Sequence, residues 1–421
     1  MTTIRRALTR TFGAALLLGA AACDSFLEVD NPNVIDAGTI DPVQDATTLA
    51  NAAQQNFAAA YGWMIMYSSW YSGETLVAET FPTRNEFGRR QVLNTNGSLN
   101  TDVWGNIAQA VAGARAVLQL ELPTPTTNLD LARAATWAGF SVLHIATDFC
   151  EGTIAQGSLA EGLRPGGRLT TANLLDSAVA YFSTAITVGT ANGSADGVAL
   201  ARAAIVGRAR AHLQAGRKSQ AATDAQAVPA TFAFSLPYID DLAQRNRLGN
   251  RLWQFTLDRG SISIAPAYRV TDPRVPFKAP GQHTLTPQDP ASGPFFIQNK
   301  YPAFTSAIRV ASKLEADYIL AETQGVTEQL ALIAARRTAN GQPAYSGPTD
   351  GNSVLTELMN QKALDFFLEG RKLGDFRRLP NNVLNMPVPG QPYFKAGFPP
   401  ISNGTCYPLP DDETDNNPNF R

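Results

Sequence analysis

The chain has 421 residues, with 34 lysines and arginines against 36 aspartates and glutamates, a formal net charge of −2. That near-balance supplies no basic field, so nucleic-acid binding has no electrostatic support. Charged residues make up only 17% of the chain; this suits an extracytoplasmic globular protein with small-residue helix contacts and long loops, and the length allows one large domain or two smaller ones.

Residues 1–22 read as a lipoprotein signal peptide. Arg5, Arg6 and Arg10 form a basic start, and the run from Phe12 to Ala22 is apolar or small throughout. It is shorter than the about 20 apolar residues that a stable bilayer span needs. It ends in Ala20-Ala21-Ala22-Cys23, small residues before a cysteine, which suits lipoprotein processing and acylation of Cys23. Acyl chains at ~0.8 kcal/mol per buried methylene would hold the mature chain on a membrane. Losing the three signal arginines leaves 31 basic against 36 acidic residues, a mature charge near −5. No later stretch is expected to span a bilayer. Residues 23–45, with Asn31-Pro32 and Asp41-Pro42 and no periodicity, read as the lipid anchor and an extended linker.

Residues 46–421 are expected to form a single helical domain. A helix is predicted from Ala46 to Tyr61, with Leu49, Ala53, Phe57 and Ala60 in phase. An aromatic cluster follows (Tyr61, Trp63, Tyr67, Trp70, Tyr71), then a loop from Gly73 to Gly97 rich in Asn, Thr and Arg. Turn signals divide the next stretch into helices at Leu99–Leu122, Leu129–Phe149, Ala172–Val188, Val198–Gln214 and Ser219–Val228, the third capped by Thr170 or Thr171. Small residues at Ala201, Ala204, Gly207 and Ala211, then Ala221, Ala222 and Ala225, resemble a tetratricopeptide helix pair without a strict repeat. Residues about 237–302 read as a proline-rich irregular insertion. Helices are predicted again at Ala307–Gln324 and Thr327–Ala339. The run Val354–Leu379 has the periodicity of one amphipathic helix, in which Glu369–Lys372 and Arg371–Asp375 have the spacing of intrahelical ion pairs. After Pro380 the chain reads as irregular.

Sequence motifs for catalysis are absent, although the carboxylate pair of a glycoside hydrolase is defined in space and not by spacing. His144, His212 and His283 lack metal-site spacing, and there is no HExxH, phosphate loop, dinucleotide fingerprint or G-x-S-x-G. No metal or cofactor is expected. Asp411, Asp412 and Glu413 read as a solvated acidic turn, with a weak Ca²⁺ contact as the alternative. With Cys23 lipidated, Cys150 and Cys406 remain as a candidate disulfide in an oxidising compartment. For ligand binding, Tyr and Trp rings can stack on sugar faces beside hydrogen-bonding groups. The candidates are Trp70 and Tyr71, with Arg84 and Asn85 as polar partners, and Trp253 and Tyr268 on the insertion. For Trp63, Tyr67, Trp70 and Tyr71, steps of three and four also fit a buried helix stripe.

The order of residues in Asp365-Phe366-Phe367-Leu368-Glu369-Gly370-Arg371-Lys372-Leu373-Gly374-Asp375-Phe376-Arg377-Arg378 resembles the E-x-R-x-x-D-L-R-R helix of the SusD/RagB family of outer-membrane nutrient-capturing lipoproteins. Tyr407-Pro408-Leu409-Pro410 through Asn417-Pro418-Asn419 is similar to that family's closing pattern. Cys23 with Phe26-Leu27-Glu28 and Asn31-Pro32 is similar to its start. The resemblance implies a mainly α, tetratricopeptide-like scaffold with long irregular loops. It also implies capture of an oligosaccharide or other oligomeric nutrient at the exterior of the outer membrane, without catalytic turnover, and delivery to a SusC-like TonB-dependent transporter. It makes Glu369, Arg371, Asp375, Arg377 and Arg378 a structural ion-pairing hallmark rather than a ligand site, with Glu369 expected to pair with Arg371, Arg377 or Arg378. Two rival readings are a helical-repeat scaffold that binds only protein and a surface glycoside hydrolase.

Overall fold

The computed structural model describes residues 41, 43–157, 162–379 and 383–420. Cys23, the signal and nearly all of the linker lie outside them. The first helix, α1 (Ala46–Tyr71), runs ten residues past its predicted end, because nothing between Tyr61 and Tyr71 breaks it. It is buried on all sides from Phe57 onward, which makes it the axis of the core. Gly62 is where Arg251 crosses it: a Cβ there would lie 3.0 Å from the arginine side chain.

Strand β1 (Thr75–Val77) and the short helix α2 (Pro82–Gly88) follow. A π-helical turn at Leu99–Trp104 leads into α3 (Gly105–Leu118). Helix α4 (Leu129–Asp148) is capped by Asn128, whose side chain accepts from the Asp130 and Leu131 amides. The two-residue strands β2 (Glu151–Gly152) and β3 (Leu169–Thr170) pair antiparallel. Helix α5 (Thr171–Asn192) opens with a Thr170–Asn173 capping box and ends at Gly193, φ 71°. Then come α6 (Ala195–Gln214) and α7 (Lys218–Gln226).

Successive helices from α3 to α7 pack on one another, and α1 lies against α3 and α4. The small residues act as expected. Phe182 of α5 seats between Gly139 and Gly207, where an added Cβ would come within 2.6 and 2.4 Å of its ring. Helix α5 is long and apolar enough to cross a membrane by length and composition. Here Leu174, Ala178, Phe182 and Ala185 are buried in the helical stack.

Strand β4 (Ala233–Leu236) precedes the insertion and β8 (Ile308–Ser312) follows it. The insertion holds single helical turns at Arg245–Leu248 and Arg251–Trp253, a π-helical turn at Gln254–Asp258 and the short strands β5 (Ile262–Ile264), β6 (Phe277–Lys278) and β7 (Ile297–Gln298). β1 pairs with β5, β4 with β8 and β6 with β7, all antiparallel. The helix expected from Ala307 therefore begins later, as α8 (Lys313–Gln324), with Ser312 accepting from the Glu315 amide as its cap. β8 is a strand because β4, over seventy residues earlier, supplies its hydrogen bonds. Helices α9 (Val326–Ala339) and α10 (Gly351–Asp365) complete the scaffold.

The expected single helix at Val354–Leu379 is two helices. α10 stops at Asp365, and α11 (Lys372–Arg378) starts after a left-handed break at Leu368 (φ 54°) and Gly370 (φ 67°). The break frees backbone carbonyls from the helical ladder, and buried carbonyls must find donors. Lys300 Nζ donates to Phe367 O at 2.6 Å and Tyr301 Oη to Leu368 O at 3.0 Å. Tyr61 Oη donates to Glu369 O at 2.9 Å and Arg309 Nη2 to Asp365 O at 2.7 Å.

The ion pairs consequently differ from the intrahelical set. The Glu369 carboxylate binds Lys300 at 2.7 Å and Arg309 at 2.9 Å, not Lys372, Arg377 or Arg378. Arg371 donates to the Glu369 carbonyl and lies 3.5 Å from Glu315, which Arg210 also holds. Asp375 pairs with Lys362 and Arg378, and Arg378 also with Glu322. Arg377 caps the end of α4 through Ala146 O and Phe149 O. Apart from Asp375–Arg378 inside α11, the ionic partners of the run come from other segments.

Cys150 and Cys406 form a disulfide with sulfurs 1.92 Å apart across 256 residues. Backbone bonds flank it, Cys150 N–H to Tyr407 O and Tyr407 N–H to Asp148 O. The late irregular segment is thereby fixed to the end of α4. Glu413 of the acidic turn accepts from Trp104 Nε1 and Thr153 Oγ1, so it clasps the tail instead of being only solvated.

Candidate functional site

Among the described residues, two aromatic side chains are exposed: Phe81 (51%) and Phe394 (37%). Phe81 precedes Pro82 and is held extended at φ −59°, ψ 116°, as a residue before proline prefers. Phe394 lies in the irregular segment beside Tyr393, their ring centroids 4.6 Å apart.

Buried polar groups tie the segments that carry these rings. Lys395 Nζ donates to Glu79 O at 2.6 Å and pairs with Asp289 at 2.8 Å. Asn85 Nδ2 donates to Glu79 O and Phe81 O, and its Oδ1 accepts from Tyr393 Oη. Thr80 N–H donates to Gln288 Oε1, and Asp289 N–H to Ala78 O. Residues 78–85, 288–289 and 393–395 are thus one hydrogen-bonded unit.

Arg84 braces it. Its guanidinium bonds both Glu79 oxygens at 2.9 Å and Asp102 at 3.2 Å, and lies 5.0 Å from the Phe81 ring centroid. Burial pushes the Glu79 carboxyl up, further than Arg84 pulls it down. Burial pulls the Lys395 ammonium down against the opposing pull of Asp289, whose own carboxyl is held low mainly by the lysine hydrogen bond. These charges are committed to one another. What the unit offers outward is flat apolar ring surface on a fixed backbone, with exposed Thr80 and Gln288 nearby, the composition of a stacking surface for sugars.

The sequence-predicted residues fall differently. Trp70 and Tyr71 are each 1% exposed. Trp70 packs edge-on to Tyr67 and Tyr71 edge-on to Tyr407, so neither can present a face to a ligand: α1 continues through them into the core. Tyr268 is buried and stacked on Phe367, while Trp253 is half-buried against Phe304. Arg84 and Asn85 do lie at the aromatic surface, as internal braces rather than as groups turned to a ligand. Phe81 and Phe394 are not among the sequence-predicted residues. The legible signal for Phe81 was a lone phenylalanine before proline, outside any apolar period.

No protein-family model and no curated protein matches the chain. Solved structures do. A SusD superfamily protein from Bacteroides thetaiotaomicron superposes with TM-score 0.67 at 14% identity, covering 90% of this chain and 98% of that one. A SusD-like carbohydrate binding protein from Bacteroides vulgatus gives 0.64 at 16%, covering 89% and 96%. A laminarin binding SusD-like protein gives 0.63 at 13%, covering 87% and 96%. At such identity the likeness is one of fold, and the fold of this chain is that of the SusD superfamily.

Proposed function

We propose that this chain is a SusD-type glycan-binding lipoprotein that captures an oligosaccharide on the exposed aromatic surface and passes it to a SusC-like TonB-dependent transporter. One observation carries the reading. The two exposed phenylalanines stand on segments locked together through Glu79, Asn85 and Lys395, a preformed apolar face that no core packing explains. The fold shared with a carbohydrate binding and a laminarin binding SusD-like protein supports the same ligand class.

The test is a glycan array that includes laminarin, followed by titration of the double variant Phe81→Ala, Phe394→Ala. Losing a stacked ring typically costs ~2 kcal/mol or more, so affinity should fall at least tenfold while the unfolding midpoint stays put, both rings being exposed. A wild-type chain that binds no glycan ends the reading.

The proposal includes a lipid anchor at Cys23 on the outer face of the outer membrane. Cys23→Ser should move the chain to the soluble fraction in cells whose transporter is deleted. Unchanged fractionation would reject the anchor and leave the glycan site untouched.

A further inference from the structure

We infer a second glycan-contacting groove, for uncharged sugar units, running from Val270 across Leu384 and Asn385 to Val388; the inference rests on the glycan reading above but on different residues. Two clefts meet here. One, of about 220 Å³, lies between Tyr268–Asp272, α10 and Leu384–Asn385. The other, of about 350 Å³, lies between Leu384–Pro389, Arg90 and Asn403–Thr405. Leu384 and Asn385 line both, so the two clefts share that dipeptide as a wall.

The groove has apolar lips and neutral polar groups. Val270 is 38% and Val388 51% exposed, one at each cleft. Asn360, Asn385 and Asn403 are exposed along it, and their carboxamides have no hydrogen-bond partner among the described residues. Each carboxamide offers both donors and an acceptor, which matches the hydroxyls on a sugar ring, while the aliphatic lips match its C–H faces.

The charges nearby are already engaged. Lys372 Nζ donates to Ser72 O at 2.8 Å and lies 5.0 Å from the Tyr268 ring centroid. Asp272 is held by Arg274 and Gln342. Arg90 is spent on the carbonyls of Gly404 and Pro387. Lys372 and Arg90 are 5% and 3% exposed with their donors turned inward to carbonyls, so an anionic sugar would lose hydration here without reaching a cation, and the groove selects neutral units. Arg89, next to Arg90, lies 5.8 Å from the Phe398 ring centroid, in the same segment as Phe394. One oligomer engaging both sites would gain by linkage, since the second contact becomes intramolecular.

The test uses the full mature chain and four probes: laminarihexaose, maltohexaose and cellohexaose as neutral hexamers, and hexagalacturonate as the anionic one. At least one neutral hexamer should bind. The double variant Asn360→Ala, Asn385→Ala should weaken it fivefold or more with an unchanged unfolding midpoint, both residues being exposed. Wild-type affinity in this variant, alongside loss in Phe81→Ala, Phe394→Ala, would overturn the groove and leave the aromatic site standing. Tighter binding of hexagalacturonate than of every neutral hexamer would overturn the neutral selectivity, and no neutral binding by the wild type would overturn both sites.

Discussion

Replacing Glu369 by alanine is expected to destabilise the fold by roughly 3–5 kcal/mol, the usual result of removing one partner from a buried charged pair. Glu369's side chain is 3% exposed, whereas Lys300 and Arg309 retain 19% and 24%. The cations can turn partly to water once the carboxylate is gone, which favours the lower end of that range. The change acts beyond one pair, because Lys300 and Arg309 also donate to the carbonyls freed between α10 and α11. The half-buried i,i+4 pair Lys313–Asp317 on α8 supplies the contrast: Lys313→Ala should cost no more than about 1 kcal/mol. Denaturant unfolding of both variants checks the ranking. A Glu369→Ala chain that unfolds like the parent yet binds no glycan would place this segment in the ligand site instead.

The same pair has a pH signature. Burial pushes the Glu369 carboxyl up, but Lys300 and Arg309 together outweigh it and hold it below its ordinary value. A carboxylate with a depressed native pKa adds stability that is fully present above its unfolded pKa, ~4.3. That stability is lost as pH falls through the native value. The deficit of Glu369→Gln relative to the parent should therefore be constant from pH 7 to about 5 and shrink below about 4. Glu315 and Asp375, depressed against burial by Arg210 and Lys362 respectively, should steepen acid unfolding in the parent and the variant alike.

How far the sequence reaches is visible in this segment. Its apolar period runs unbroken across the turn at Leu368–Gly370, since side-chain spacing does not encode a left-handed residue whose donors sit at Lys300, Tyr301 and Tyr61. Local spacing proposes i,i+3 and i,i+4 partners, and only the fold brings up Arg309, Glu315 and Glu322. The helices of the scaffold were legible because their signals are local: a cap at Thr170 and small residues at Ala201, Ala204 and Gly207. β8 was not legible, because a strand's hydrogen bonds belong to its partner. The candidate site failed for a different reason. A dense aromatic run at helical spacing marks core, and the exposed rings are the isolated ones, set by Pro82 and by an irregular segment with no period to read.

Trp70→Ala should remove ~3–5 kcal/mol of stability and leave glycan affinity within about twofold of the parent. Trp70 is 1% exposed, packs edge-on to Tyr67 with ring centroids 5.1 Å apart, and its Nε1 has no hydrogen-bond partner among the described residues. Its whole contribution is therefore packing, and truncation opens a cavity that close-packed neighbours cannot fill. Tyr67 limits their relaxation, because its hydroxyl is fixed to Asp102 at 2.5 Å and to Arg84 at 3.1 Å. That link is also the route by which the change could reach Phe81, since Arg84 braces its ring. Trp70→Phe, which keeps an aromatic ring and most of the volume, separates the two effects: it should recover most of the stability with affinity still unchanged. The measurements are denaturant unfolding and glycan titration on each variant. Loss of binding in Trp70→Phe with its stability retained would show that Trp70 reaches the ligand in solution, and would return it to the site from which its burial removes it.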